Sequence, residues 1–227
     1  MLCRCLLATI GLLASAGLVN AQTPPSPPPP APAEQATTQD AMEEPQVGDH
    51  WTYEIRDEIT GDLKSTTTHT ITDVSATEIS IRFEVLGKPG FGYQTYDRSW
   101  DIINNGAWRF APNDGTGVRM PLAVGKSWTF KSNDSNSTTG VNLKRTGTSK
   151  VTAKENITTR AGTFEAYKIE TSFEMRNAND PTKKSQAEQQ VWYVPAINHW
   201  VKRTYVSRAD GRVRERGALE MVEYGRR

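Results

Sequence analysis

The sequence predicts an all-β or mainly β fold: an antiparallel sheet or half-barrel built from a duplicated unit. Three observations lead there. Apolar and polar residues alternate strictly over several runs, turn-forming residues separate those runs, and one block of sequence returns at a fixed offset.

The alternation is clearest at Ile79, Ile81, Phe83 and Val85, with Ser80, Arg82 and Glu84 on the opposite phase. Tyr167, Ile169, Thr171, Phe173 and Met175 repeat the pattern against Lys168, Glu170 and Glu174. Trp51, Tyr53 and Ile55 do so against Thr52 and Glu54. Period two places each set on one face of a strand. Turns are expected at Thr60-Gly61-Asp62, Gly87-Lys88-Pro89-Gly90, Asn104-Asn105-Gly106, Asn113-Asp114-Gly115 and Asp210-Gly211, the last as a tight hairpin. No long segment carries an apolar stripe at helical spacing. About nine to eleven strands are expected, a number that suits an antiparallel sheet.

The repeat pairs Val47-Gly48-Asp49-His50-Trp51-Thr52-Tyr53 with Val124-Gly125-Lys126-Ser127-Trp128-Thr129-Phe130, an offset of 124 − 47 = 77. At the same offset Val74-Ser75-Ala76-Thr77-Glu78 matches Val151-Thr152-Ala153-Lys154-Glu155. The reading is a duplicated β unit: a glycine turn, a strand opening on Trp, then a hairpin, with copies at 47–123 and 124–227. Trp51, Tyr53, Trp128, Phe130, Trp192 and Trp200 are expected as core anchors, with the lining of a ligand cavity as the alternative.

Upstream of this domain the chain has a different character. Arg4 precedes an apolar run from Leu6 to Val19, and Val19-Asn20-Ala21 offers small or branched residues at −3 and −1. Residues 1–21 are therefore expected to be a secretory signal peptide, cleaved before Gln22. Cys3 and Cys5 lie ahead of the apolar run, not after it, so a lipid anchor is not expected, and the run is too short and interrupted to span a membrane. The expected compartment is periplasmic or extracellular. Residues 22–46 hold eight of the thirteen prolines and are expected to be a disordered spacer, with the domain beginning at 47.

The charge balance, 27 basic against 26 acidic residues, gives no case for a nucleic-acid partner. Both cysteines sit in the signal, so the mature chain has no disulfide framework. His50, His69 and His199 follow no metal-ligand spacing, and no nucleophile elbow, P-loop or dinucleotide glycine pattern occurs. No cofactor is expected. Asp97 and Asp101 are expected on one face of an extended strand, too far apart for contact. The oxygen-rich runs Asn113–Gly117 and Asn133–Asn136 could take calcium, but turns use the same residues. Arg212, Arg214 and Arg216 alternate along the last strand and are expected to form one basic face. That face suits lipid headgroups, polysaccharide or another envelope protein, or simply protects a sheet edge.

One stretch carries a resemblance. Ala161-Gly162-Thr163-Phe164 is followed by Trp192-Tyr193-Val194-Pro195 and Trp200-Val201-Lys202. This order resembles exported bacterial proteins of a domain-of-unknown-function β family, over roughly residues 120–206. Those proteins carry Gly shortly after the Pro, where this chain has Ala196-Ile197-Asn198-His199. More distantly the pattern is similar to lipoprotein-carrier half-barrels, whose concave apolar face holds lipid chains. The resemblance implies a structural scaffold without chemistry of its own. The expected function is binding of an apolar ligand or an envelope component, with a tethered interaction protein or a hydrolase with scattered carboxylates as alternatives.

Overall fold

The computed structural model describes residues 42–226. The expected signal peptide and spacer residues 22–41 lie outside the described residues.

Twelve strands follow one another: β1 (His50–Asp57), β2 (Leu63–Val74), β3 (Glu78–Val85), β4 (Gly92–Asp97), β5 (Ile102–Asn105), β6 (Trp108–Ala111), β7 (Ser127–Asn136), β8 (Asn142–Thr159), β9 (Gly162–Asn177), β10 (Lys184–Val194), β11 (His199–Ala209) and β12 (Arg212–Gly225). Each pairs antiparallel with its neighbours in sequence, and β12 returns to pair with β1. The expected all-β antiparallel sheet is present, and it closes fully into a barrel where the half-barrel alternative would have stopped short. Closure leaves no free edge along the seam, so the edge-protecting role expected of the C-terminal arginines falls away.

The expected alternation is the barrel's inside and outside. Trp51 and Tyr53 point inward and lie in register with His69 and Thr67. Ile71, Ile79, Ile81, Val151, Ile169 and Val191 share that face, all buried. Closing the wall requires glycine where an inward aromatic ring lies across a neighbouring strand. Gly147 is in register with Phe130 and Phe173, and a Cβ there would sit 2.3 Å from Phe130 Cζ and 2.6 Å from Phe173 Cβ. Gly92 lies under Phe83 and Gly217 under Tyr205 in the same way.

The first block of the repeat is one structural device used twice. Gly48 and Gly125 take φ of 96° and 93°. Gly48 N donates to Ile71 O and Gly125 N to Val151 O. Ile71 N and Val151 N return bonds to Asp49 O and Lys126 O. One residue later both partner strands bulge, and the bulged Thr72 and Thr152 hydroxyls donate across to Ser80 O and Lys168 O. The second block does not coincide. Val74–Glu78 forms the β2–β3 turn, whereas Val151–Glu155 lies within β8. The spatial counterpart of Val151 is Ile71, three residues earlier than the sequence offset places it.

Beyond Thr152 the β8–β9 hairpin continues as an arm. It pairs to Thr159↔Gly162, whereas β7 leaves β8 at Lys150 and β10 leaves β9 at Tyr167. The arm's tip meets the opposite wall: Phe164 packs on Tyr224, and Arg160 pairs with Glu54 of β1.

The folded region also starts earlier than expected. Met42 is buried in the core, and its N–H donates to Ala196 O. Met42 thus packs with the domain although it lies ahead of the boundary expected at 47. Met42 was hidden in a proline-rich context and has no alternating partners to mark it.

Candidate functional site

The barrel interior has two unlike halves. At one end the aromatic rings close it. His199 lies fully buried among Trp200, Trp51 and Trp100, with ring centroids 3.8, 4.0 and 4.5 Å away. Tyr53 donates its hydroxyl proton to Trp200 O, and Tyr96 packs on Trp100 and Trp200. Burial holds the His199 imidazole well below its ordinary range and the Tyr53 phenol well above its own. His199 is thus a neutral ring in an apolar packing.

The β10–β11 connection fastens this end. It is a single 3-10 turn, Pro195–Ile197, closed by Asn198 at φ 45°. Asparagine tolerates this left-handed conformation, so it fills the place where the resembling proteins carry glycine. Its Oδ1 accepts from Trp100 Nε1 and from Tyr193 Oη, and its Nδ2 donates to Glu43 O. The Tyr193 phenol is pushed up to about 12 by burial.

In the other half the inward residues remain reachable. Ile55, Phe83, Val85, Gln94, Phe173, Gln189, Arg203 and Leu219 hold the same inward phase as the buried rows yet are only half-buried. The lining is mixed, apolar with scattered polar groups. Arg203 sits between the halves, opposite Val191 and Leu219, with its guanidinium 4.4 Å from the Trp200 ring centroid. Burial dominates the shifts of Tyr53, His69, Tyr96 and His199, and the Arg203 charge adds a smaller influence on each. His69 is also half-buried, yet burial pushes its pKa down to about 4.

The rim of the open half is apolar on one side. Ile59 on the β1–β2 turn, Leu86 and Phe91 on the β3–β4 turn, and Val213 beside the β11–β12 turn are exposed. These three hairpins neighbour one another around the barrel. A hollow of about 280 Å³ lies between Phe83, Val85 and Phe91. The larger concavity on β7–β10, about 540 Å³, is bordered by outward residues such as Thr129, Lys131, Thr146 and Glu174, so it lies on the outer wall.

Five of the six aromatics selected from the sequence are buried: Trp51, Tyr53, Phe130, Trp192 and Trp200. Trp128 is half-buried on the inward phase. Trp192 stands apart, because it pairs with Lys168 and Lys202 on the outward phase. Both lysines cover its ring, and its Nε1 donates to Glu155 on the arm. It anchors the arm and lines no interior. The three arginines do not share a face. A bulge between Ser207 and Arg208 gives β12 an extra residue, so Arg216 faces Val206 while Arg212 faces Ala209, on the opposite phase. Asp97 and Asp101 are not on one strand either. The chain turns between them through Trp100 at φ 63°, and Asp97 Oδ1 accepts from Ser99 N and Asp101 N.

The oxygen-rich runs are engaged internally. Asp114 accepts from Ile102 N, Thr116 N and Thr116 Oγ1, and Asp134 binds Arg145 at 2.7 Å. Asp101 accepts from Gly117 N and Arg119, and burial raises its carboxyl to about 6. Among the described residues no group of three His, Cys, Asp or Glu side chains is placed to hold a metal ion. The residues that sequence reasoning missed are Arg203, His69 and Gln189. Each sits singly within an alternating strand, and only the barrel's register brings them to one interior.

Comparison with known proteins agrees with this architecture. Residues 126–203 match the DUF3108-like family. The matched span runs from the second glycine turn to Arg203 and contains the arm and the Trp-Tyr-x-Pro segment. No curated protein matches the chain. A candidate lipoprotein from Parabacteroides distasonis superposes with a TM-score of 0.50 at 13% identity, covering 82% of this chain and 99% of its own. A candidate exported protein with a YmcC-like fold from Bacteroides fragilis gives 0.50 at 10% identity, with 80% and 97% covered. At these identities the likeness is one of fold. None of the matches describes a ligand or a reaction.

Proposed function

We propose that this chain is an exported envelope protein, periplasmic or extracellular, that binds an apolar or amphipathic ligand inside its barrel and catalyses no reaction. The observation that carries the reading is the asymmetric interior: sealed by aromatic rings at one end, reachable and mixed in lining at the other. Ligand sites in small barrels have this form, an apolar body with a few placed polar groups. The likeness to exported proteins supports the compartment. The buried carboxylates around Asp101 and Asp114 are engaged by backbone N–H groups and arginines, which ranks the hydrolase alternative last. The apolar rim tips favour a second reading, in which the barrel docks a partner through the β11–β12, β1–β2 and β3–β4 hairpins.

The test is titration of the purified full-length protein with an environment-sensitive naphthylamine dye. A saturable, blue-shifted rise near one dye per chain, displaced by lipid extracted from envelopes, is expected. Absence of saturable binding would remove the ligand reading and leave the docking one.

A further inference from the structure

Among the described residues, every buried side-chain polar atom without a partner is a nitrogen. A folded protein rarely leaves such atoms unpaired. Those of Trp51 and His199 lie in the sealed aromatic end and that of Trp128 packs against the core, while His69 Nδ1, Gln189 Nε2 and Arg203 Nε belong to half-buried inward residues, His69 Nδ1 being a donor in one tautomer of the neutral ring. Gln189 and Arg203 are diagonal neighbours on β10 and β11, facing inward. His69 lies in register with Trp51 and Phe83 on the same inner face, and its pKa responds to the charge of Arg203.

The interior is therefore short of acceptors, and short of negative charge in particular. Arg203 forms no ion pair among the described residues, and a Trp ring covers one face of its guanidinium. The inner carboxylates already have partners. Asp134 and Asp114 face Arg145, and Glu215 accepts from Tyr205 Oη. An arginine placed inward without a counter-ion suits a planar or tetrahedral oxyanion. The wall from there to the mouth is apolar at Ile55, Val85, Phe83 and Leu219, and it ends at the exposed Leu86 and Phe91.

We infer that the barrel takes a single-chain amphiphile whose anionic head, a carboxylate or a phosphate, seats against Arg203 with Gln189 and His69 as further donors, while its chain lies toward the apolar rim. The inference rests on the ligand-binding reading above and specifies its chemistry. The donors are supplied by three strands, β2, β10 and β11, and no one strand carries more than one of them.

Calorimetric titration of the full-length protein with dodecanoate, dodecyl phosphate and neutral dodecyl maltoside, all below their micellar concentrations, tests it. Both anions should bind at least tenfold tighter than the maltoside, and the tighter of the two names the head group. Arg203→Gln should erase that difference by weakening the binding of both anions at least tenfold. Arg203→Lys should keep part of it, and Gln189→Leu should weaken anion binding severalfold. These two variants decide the matter if Arg203→Gln does not fold. If none of the three probes binds, the ligand-binding reading fails and this inference with it. If the maltoside binds as tightly as the anions, or if the variants leave anion binding intact, the barrel still binds ligands but the head-group assignment is overturned.

Discussion

His69 shows how much a single side chain depends on its surroundings. In sequence it is one of several polar residues in a threonine-rich run; in the barrel it faces Tyr53 and Phe83 across a desolvated wall. Its folded pKa of about 4 lies below the ordinary 6.5, so the native ring stays neutral where the unfolded chain takes up a proton. The unfolded state then binds more protons between these values. Stability should fall as pH drops from 6.5 toward 4, by about 3 kcal/mol from this residue, and level off below. Asp101 acts in the opposite sense. Its carboxyl is raised to about 6, so its contribution weakens as pH rises from 3.8 to 6. Comparing the parent with His69→Gln isolates the histidine. Urea unfolding at pH 7 and pH 4.5 should show the parent losing more stability than the variant, and parallel losses would refute the assignment. Neither His69 nor Arg203 could be read as a site from the sequence, because a lone polar residue on an inward phase is also what a solvated sheet face shows.

At the scale of elements, the barrel wall closes where rings lie over glycines. Gly147 is hemmed in from both neighbouring strands, with Phe130 and the main-chain-proximal Cβ of Phe173 both in its way. A flexible ring end can swing aside, but a Cβ cannot. Gly147→Val should therefore destabilise the protein by about 3 kcal/mol. Adding Phe130→Ala should recover only part of that loss, because Phe173 remains. Chemical denaturation of the two variants checks both statements, and full recovery in the double variant would show that the ring alone sets the constraint. The arm is the second device. Ala161-Gly162-Thr163-Phe164 forms its tip, and Trp192 is the anchor beneath Glu155. The motifs behind the family resemblance are thus parts of a structural latch. Only their structural character was legible, through the resemblance that implied a scaffold. The direction in which the arm folds was not, because it depends on the bulge at Thr152 and on the opposite wall.

For the whole molecule, closure is the decisive event, and its seam is clamped. Asp49 has no exposure to solvent and accepts from Gln46 N, Arg226 Nε and Arg226 Nη2. The clamp ties the end of β12 to the start of β1. Removing the cation strips the buried carboxylate of two of these three donors. Arg226→Ala should cost about 3 kcal/mol, and hydrogen exchange should quicken along the β1–β12 ladder before other strands. Uniform protection across the ladder would show that the clamp is dispensable. In the matching turn Lys126 stands where Asp49 stands here, and its Nζ donates to Arg119 O and Pro121 O, holding the long β6–β7 loop. One turn therefore serves two different fastenings, which is why the repeat is strict at its glycines and tryptophans and loose at this position.

By itself the sequence determined the all-β class, the inward and outward phases of the alternating runs, most of the turns and the paired glycine starts, though it placed about nine to eleven strands where there are twelve. These follow from local chemistry: period-two burial, residues that tolerate positive φ, and aromatic rings that must leave water. Only the tertiary structure decided that the sheet closes, that Met42 belongs to it, that bulges set Arg212 and Arg216 on opposite phases, and that Arg203, His69 and Gln189 share one interior. The physical reason is register. A strand's own residues define its two faces, but the choice of residue opposite each one is made by the neighbouring strand, and around a barrel that choice is made twelve times.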